Sequence, residues 1–129
     1  MTRILLVDDH LPLRKQLRQM IEMQEQWKVC GEAADGREAV DKHLVLKPDL
    51  TVMDFNMPLL DGVRASRLIL KGHPSACILM LTVHESRQLL EEVKNVGIKG
   101  FCSKCGMDAF FEAIEAMLRG ETYFMEQPN

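Results

Sequence analysis

Arg3-Ile4-Leu5-Leu6-Val7-Asp8-Asp9-His10-Leu11-Pro12 carries an uninterrupted apolar run, then two adjacent carboxylates, then a proline. A strand that is apolar on both faces belongs inside a sheet covered on both sides, as parallel sheets are. Pro12 suits the first turn of a following helix, where its missing N–H costs nothing. Leu13, Leu17, Met20 and Ile21 then place an apolar stripe at i, i+4, i+7 and i+8 along that helix.

The same alternation continues. Val29 to Ala33, Leu50 to Met53, Ile78 to Leu81 and Gly100 to Cys102 bring the expected strands to five. Asp35-Gly36 turns into a second helix carrying Ala39, Val40 and Leu44, which Lys47-Pro48 ends. A third helix, less cleanly amphipathic, is expected from about Gly62 to Lys71, and a fourth from Glu85 toward Gly97, where glycine can supply a left-handed cap. The fifth places Phe110, Phe111, Ile114, Met117 and Leu118 on its core face and stops near Gly120. Strands separated by helices imply right-handed crossovers. The expected fold is therefore α/β: a doubly wound (βα)5 flavodoxin-like parallel sheet with strand order 2-1-3-4-5. Residues 1–120 read as one domain. Residues 121–129 read as a C-terminal tail, since periodicity is lost from Thr122 onward.

At 129 residues, with 47% apolar and 27% charged residues, the chain suits a single globular core that folds unaided. Its formal charge of −3 offers no basic face to displace a duplex's counterions, so direct nucleic-acid contact is not expected of it. No apolar stretch approaches the roughly 20 residues of a bilayer span, and the start runs straight into a strand, so no membrane association and a cytoplasmic location are expected. Cys30, Cys77, Cys102 and Cys105 sit in or beside apolar segments, as reduced small hydrophobes do. One C-x-x-C pair, Cys102 to Cys105, is weak support for zinc or redox chemistry. His10, His43, His73 and His84 share no metal-ligand spacing.

Polar residues follow directly on apolar strands at three places: Asp8-Asp9 after the first, Asp54 at the end of the third and Thr82 at the end of the fourth. In the expected strand order the first and third strands are neighbours at the switch point, where the carboxyl ends open into a crevice. With strands about 4.8 Å apart, the three aspartates converge. At an effective dielectric of about 20 they repel by about 4 kcal/mol per pair, so the cluster calls for a cation. Oxygen-only ligands suit a hard ion such as Mg²⁺, which pairs one or two carboxylates with a phosphate. Taken singly, each acid is as readily a helix cap or a solvated turn residue; their joint placement favours the metal.

Val7-Asp8-Asp9-His10, Asp54-Phe55-Asn56-Met57-Pro58 with Asp61-Gly62, Leu81-Thr82-Val83 and Gly100-Phe101-Cys102-Ser103-Lys104 together resemble the response-regulator receiver domains of two-component systems, over residues 3–120. The resemblance implies that Asp54 is the nucleophile, attacking a phosphohistidine of a sensor histidine kinase or a small phosphodonor to become an acyl phosphate. It implies Mg²⁺, with Mn²⁺ able to substitute, bound directly by Asp9, mainly through water by Asp8, and by Asp54 and the backbone carbonyl of Asn56. Lys104 and Thr82 would hold the phosphoryl oxygens, which are the positioning and neutralising roles of phosphoryl transfer. Phe101 matches an aromatic whose rotamer follows the threonine, and the side chains of Asn56 and His84 match positions that modulate the lifetime of the phosphoryl group.

Such a switch draws Thr82 inward, vacates space for Phe101 and alters the face built from the fourth helix, fifth strand and fifth helix. Its output is a surface, open to a homodimer on phosphorylation. The run ending at Lys104 and the Asp9-His10 junction are more similar to receivers joined to LuxR-type helix-turn-helix output domains, which makes the tail a possible linker to an absent DNA-binding half. Two positions depart from the common pattern: Val83 follows Thr82 where a smaller residue is frequent, and Cys105 follows Lys104 where proline is frequent. Three other readings compete. A haloacid-dehalogenase-type phosphatase wants a second acid where Asn56 stands, and a cap domain. A flavin carrier wants a hydroxyl- and glycine-rich loop where Asp8-Asp9 stands. An interaction module of the same fold that is never phosphorylated is the third.

Overall fold

The computed structural model describes residues 1–83, 86–103 and 107–124. The chain runs β1 (Thr2–Val7), α1 (Leu11–Glu22), β2 (Trp27–Ala33), α2 (Gly36–Leu46), β3 (Leu50–Asp54), α3 (Gly62–Gly72), β4 (Ile78–Thr82), α4 (Arg87–Val96), β5 (Gly100–Ser103), α5 (Met107–Leu118) and β6 (Tyr123–Phe124). The strands form one sheet in the order β2-β1-β3-β4-β5-β6, and every pairing is parallel. Alternate residues of each strand feed two separate cores. Leu5, Val7, Met53, Met80 and Phe101 meet Ala39 of α2, Val63 and Ile69 of α3, and Leu89 and Val93 of α4. Ile4, Leu6, Val52, Leu79 and Leu81 meet Leu17 and Ile21 of α1 and Phe110, Ile114 and Met117 of α5. The unbroken apolar strands are thus covered on both faces, as expected.

The expected count of five strands is corrected to six. Gly120, with φ of 87°, turns the chain at the end of α5, and Tyr123 and Phe124 return to pair with Gly100 and Phe101. The Tyr123 N–H donates to the Lys99 carbonyl at 2.9 Å, and the Lys94 ammonium stands 5.0 Å from the centre of the Phe124 ring. A two-residue strand has no period to read, so these residues look like departing tail in the sequence. Residues 125–129 lie outside the described residues.

Caps explain the helix boundaries. The His10 imidazole accepts the Leu13 N–H at 3.4 Å and starts α1 just ahead of Pro12. Asp35 accepts from Glu38 and Asp61 from Arg64, at 2.8 and 2.9 Å, to start α2 and α3. Ser86, not Thr82, caps α4, accepting the Leu89 N–H at 3.0 Å. The helix expected from Glu85 therefore begins at Arg87; Glu85 itself lies outside the described residues. Among the described residues, no helix is long and apolar enough to cross a membrane.

Two buried polar features give testable energetics. The Thr51 hydroxyl, enclosed on β3, makes no hydrogen bond. Such a group costs its desolvation without return, so Thr51→Val is expected to stabilise the fold by about 1 kcal/mol, read from a urea midpoint at unchanged m-value.

His43, 5% exposed, stacks at a tilt on His73 with ring centroids 5.5 Å apart. Burial holds its imidazole below the ordinary histidine range, and the neighbouring His73 adds to the effect. As pH falls below the unfolded value of about 6.5, the unfolded chain takes up a proton that folded His43 resists, so stability declines until the lower folded value is passed. A series of urea midpoints from neutral to mildly acidic pH checks this: His43→Leu should flatten that part of the profile.

Candidate functional site

The register sets the site. β1 and β3 are adjacent with Val7 opposite Met53, so Asp8 and Asp54 leave the sheet side by side. One carboxylate oxygen each from Asp8, Asp9 and Asp54 lies within 4.8 Å of the others. Asp8 and Asp54 are 1% and 2% exposed, whereas Asp9 faces solvent. Short turns aim the two buried acids: the His10 N–H donates to Asp8 Oδ1 at 2.9 Å and the Asn56 N–H to Asp54 Oδ1 at 3.3 Å. An all-oxygen set with one open side fits a hard divalent cation.

On β4, Leu81 stands opposite Asp54, so buried Thr82 lies one residue further along the same edge, opposite Ser103 of β5. Ser86, not Thr82, is the cap of α4. Phe101 is 1% exposed, between Met80 on β4 and Phe124 on β6, in the cluster that also holds Leu89, Leu90 and Val93 of α4. Asn56 and Val83 are exposed at the rim. Lys104, His84 and Cys105 lie outside the described residues. Cys30 and Cys77 are half-buried free thiols whose pKa burial pushes up, and Cys102 is buried.

Two features that sequence reasoning passed over hold the acids in place. The loop after β3 is pinned at both ends: the Phe55 N–H donates to Leu81 O of the neighbouring β4 at 2.9 Å, and the Gly62 N–H returns to donate to Phe55 O at 2.9 Å. A Cβ on Gly62 would lie 2.3 Å from the Asp54 carbonyl oxygen, so only glycine lets α3 start this close to the strand. Leu59, in the left-handed region at φ of 69° and 86% exposed, carries the turn between them. Asp61-Gly62 was visible as a motif, but its packing against Asp54 was not.

The second feature is Arg14, on the first turns of α1. Its Nη1 donates to the Asp8 carbonyl at 2.8 Å and its Nε to Glu32 at 2.8 Å, and Arg18 also binds Glu32. Burial alone would push the Glu32 carboxyl up, but its bonds from Arg14 and Arg18 outweigh this and hold it below the usual carboxylate range.

Comparison with known proteins places the arrangement. The family model for the response regulator receiver domain matches residues 4–115. The transcriptional regulatory protein YdfI of Bacillus subtilis (strain 168) is 34% identical over 121 residues, which cover 93% of this chain and 56% of YdfI. The chain spans a little over half the length of the first curated relatives it matches. Among solved structures, a two-component response regulator of the LuxR family from Aurantimonas sp. SI85-9A1 superposes with a TM-score of 0.92 at 33% identity, covering 95% of this chain and 89% of that one. The CheX-CheY-BeF3-Mg complex from Borrelia burgdorferi gives a TM-score of 0.85 at 27% identity, covering 90% and 88%. A family model that takes in β1 through most of α5, joined to aspartates at the two strand ends where the sheet opens, makes this chain a member of the response regulator receiver domains.

Proposed function

We propose that the chain is a phosphorylation switch in which Asp54 accepts a phosphoryl group from a sensor histidine kinase, or from a small phosphodonor, in a Mg²⁺-dependent reaction. The observation that carries this is the meeting of three carboxylates from the ends of β1 and β3 around the buried Asp54. A carboxylate oxygen of Asp54 attacks phosphorus, a P–O bond forms, the P–N bond to the donor imidazole breaks, and that nitrogen regains a proton. Asp8, Asp9, Asp54 and the Asn56 carbonyl are the residues to hold Mg²⁺. When bound, the ion neutralises charge on the phosphoryl oxygens and screens the carboxylates from one another.

Thr82 donates its hydroxyl to one phosphoryl oxygen, and Lys104 pairs with another. Drawing Thr82 toward Asp54 frees room beside Phe101, whose buried position links β4 to α4, and so changes the face of α4, β5 and α5. Asn56 and His84 modulate how long the acyl phosphate lasts. The length of the curated relatives and the LuxR-family neighbour support a DNA-binding output domain beyond Phe124, with residues 125–129 leading toward it; the receiver itself contacts no nucleic acid. The activated face is open to a second copy of the chain.

Amide spectra of the protein titrated with Mg²⁺ and beryllofluoride test this. Perturbations are expected at Asp54, Thr82 and Phe101, and acetyl phosphate with Mg²⁺ is expected to add one phosphoryl group that maps to Asp54. Unchanged spectra at saturating ligand would instead leave an interaction module that is never phosphorylated.

A further inference from the structure

We propose that Arg14, anchored by Glu32, is a positioning residue that sets the Mg²⁺ affinity of the aspartate cluster by holding the Asp8 peptide group. The inference rests on the phosphorylation-switch reading above and extends it to a residue that touches neither the ion nor the phosphoryl group.

Three hydrogen bonds among the described residues tether Asp8. Its N–H donates to the Ala33 carbonyl of β2 at 3.0 Å, its Oδ1 accepts from His10, and its carbonyl accepts from Arg14. The first two tethers involve backbone N–H groups that any sequence supplies. The third depends on one side chain. It acts on the Asp8–Asp9 peptide, whose orientation governs both neighbouring carboxylates at once. Those carboxylates must stay within 4.8 Å of each other and of Asp54 against mutual repulsion, so an untethered peptide would relax outward.

Arg14 is itself fixed. Its side chain is 16% exposed, and its backbone N–H donates to the His10 carbonyl at 2.9 Å. Two edges of one planar guanidinium point at two different acceptors, Nη1 at the Asp8 carbonyl and Nε at Glu32. Glu32 is tied to the same helix a turn later by Arg18, and its own carbonyl accepts from Lys42 of α2. A lysine ammonium carries the same charge but lacks the planar fork, so it cannot reproduce both contacts in this geometry.

Charge and positioning predict opposite signs, which makes the idea testable. As a mere positive charge near the cluster, Arg14 repels a cation, and removing it should tighten Mg²⁺ binding. As a positioning residue it helps, and removing it should weaken binding. Mg²⁺ alone is titrated into wild type, Arg14→Gln and Arg14→Lys, following amide shifts by NMR, with urea midpoints of the metal-free proteins alongside. The expected result is a Kd raised about 10-fold in both variants, as for other residues that orient metal ligands, with the bound-state spectrum recovered at saturating Mg²⁺. Binding by Arg14→Gln that is as tight as wild type, or tighter, overturns the proposal. So does wild-type affinity in Arg14→Lys, which would show that the two-pronged guanidinium contact is not needed. If Arg14→Gln fails to fold, Arg14→Lys decides alone. Wild type that binds no Mg²⁺ would instead count against the metal-dependent reading itself.

Discussion

Asp54→Asn is expected to abolish phosphoryl uptake from acetyl phosphate, a loss of at least about 10³-fold, while raising the stability of the metal-free protein. The amide keeps an Oδ1 to accept the Asn56 N–H, so the turn after β3 has no reason to change. What disappears is the proposed nucleophile and one negative charge. With oxygens of the three carboxylates within 4.8 Å of one another, each pair costs at least about 3.5 kcal/mol at an effective dielectric of about 20. Asp54 takes part in two of the three pairs. Part of that cost is already offset by neighbours, so the gain in a urea melt in EDTA is expected at about 1–2 kcal/mol. Adding Mg²⁺ should reverse the order, because an ion stabilises the state it binds and the variant holds it less tightly. Loss of phosphorylation with the same stability in both conditions would mean that the three acids do not act as one charged cluster.

Two opposed effects on one residue also show why the site was legible in the chain. A polar residue reads as an anomaly at the end of an apolar strand, and the anomalies at the ends of β1, β3 and β4 (Asp8-Asp9, Asp54 and Thr82) can be placed together as soon as the strand order is known. That order follows from unbroken apolar strands such as Ile4 to Val7, which demand cover on both faces and so a parallel, helix-wrapped sheet. Thr82 is placed the same way, whereas Phe101 is expected from the family resemblance alone.

Features fixed by tertiary approach or by contacts to backbone atoms leave no such trace. Arg14 reads as one more basic residue on a helix whose neighbours include Lys15 and Arg18; its partner is a carbonyl that every residue possesses. β6 is too short for alternation, and Tyr123 and Phe124 reveal themselves only through the unpaired edge of β5 that they cover. Ser86 and Thr82 are both plausible caps by composition, and only the backbone geometry at Ser86, extended with φ of −145°, assigns the role.

Gly62 is the sharpest case of this kind, because a glycine before a helix ordinarily reads as a turn residue. Its function here is distance. A methyl group at Gly62 would meet the Asp54 carbonyl oxygen at 2.3 Å, Met80 Sδ at 2.9 Å and Phe55 Cα at 2.9 Å. The sulfur can move, but the other two atoms belong to the backbone that carries Asp54. Gly62→Ala is therefore expected to cost about 3 kcal/mol, at the upper end of overpacking effects, through displacement of α3 from β3. Gly72 provides the contrast within the same helix, since a methyl group there meets nothing within 4 Å and alanine is the better helix former. Gly72→Ala should be neutral or stabilise by up to about 0.5 kcal/mol. Urea midpoints compare the two, and a Mg²⁺ titration adds a second readout: Gly62→Ala moves the Asp54 peptide and should weaken binding, whereas Gly72→Ala, at the far end of α3, should not. Equal stability of the two variants would show that the loop after β3 yields more easily than its hydrogen bonds from Phe55 to Leu81 and from Gly62 to Phe55 imply.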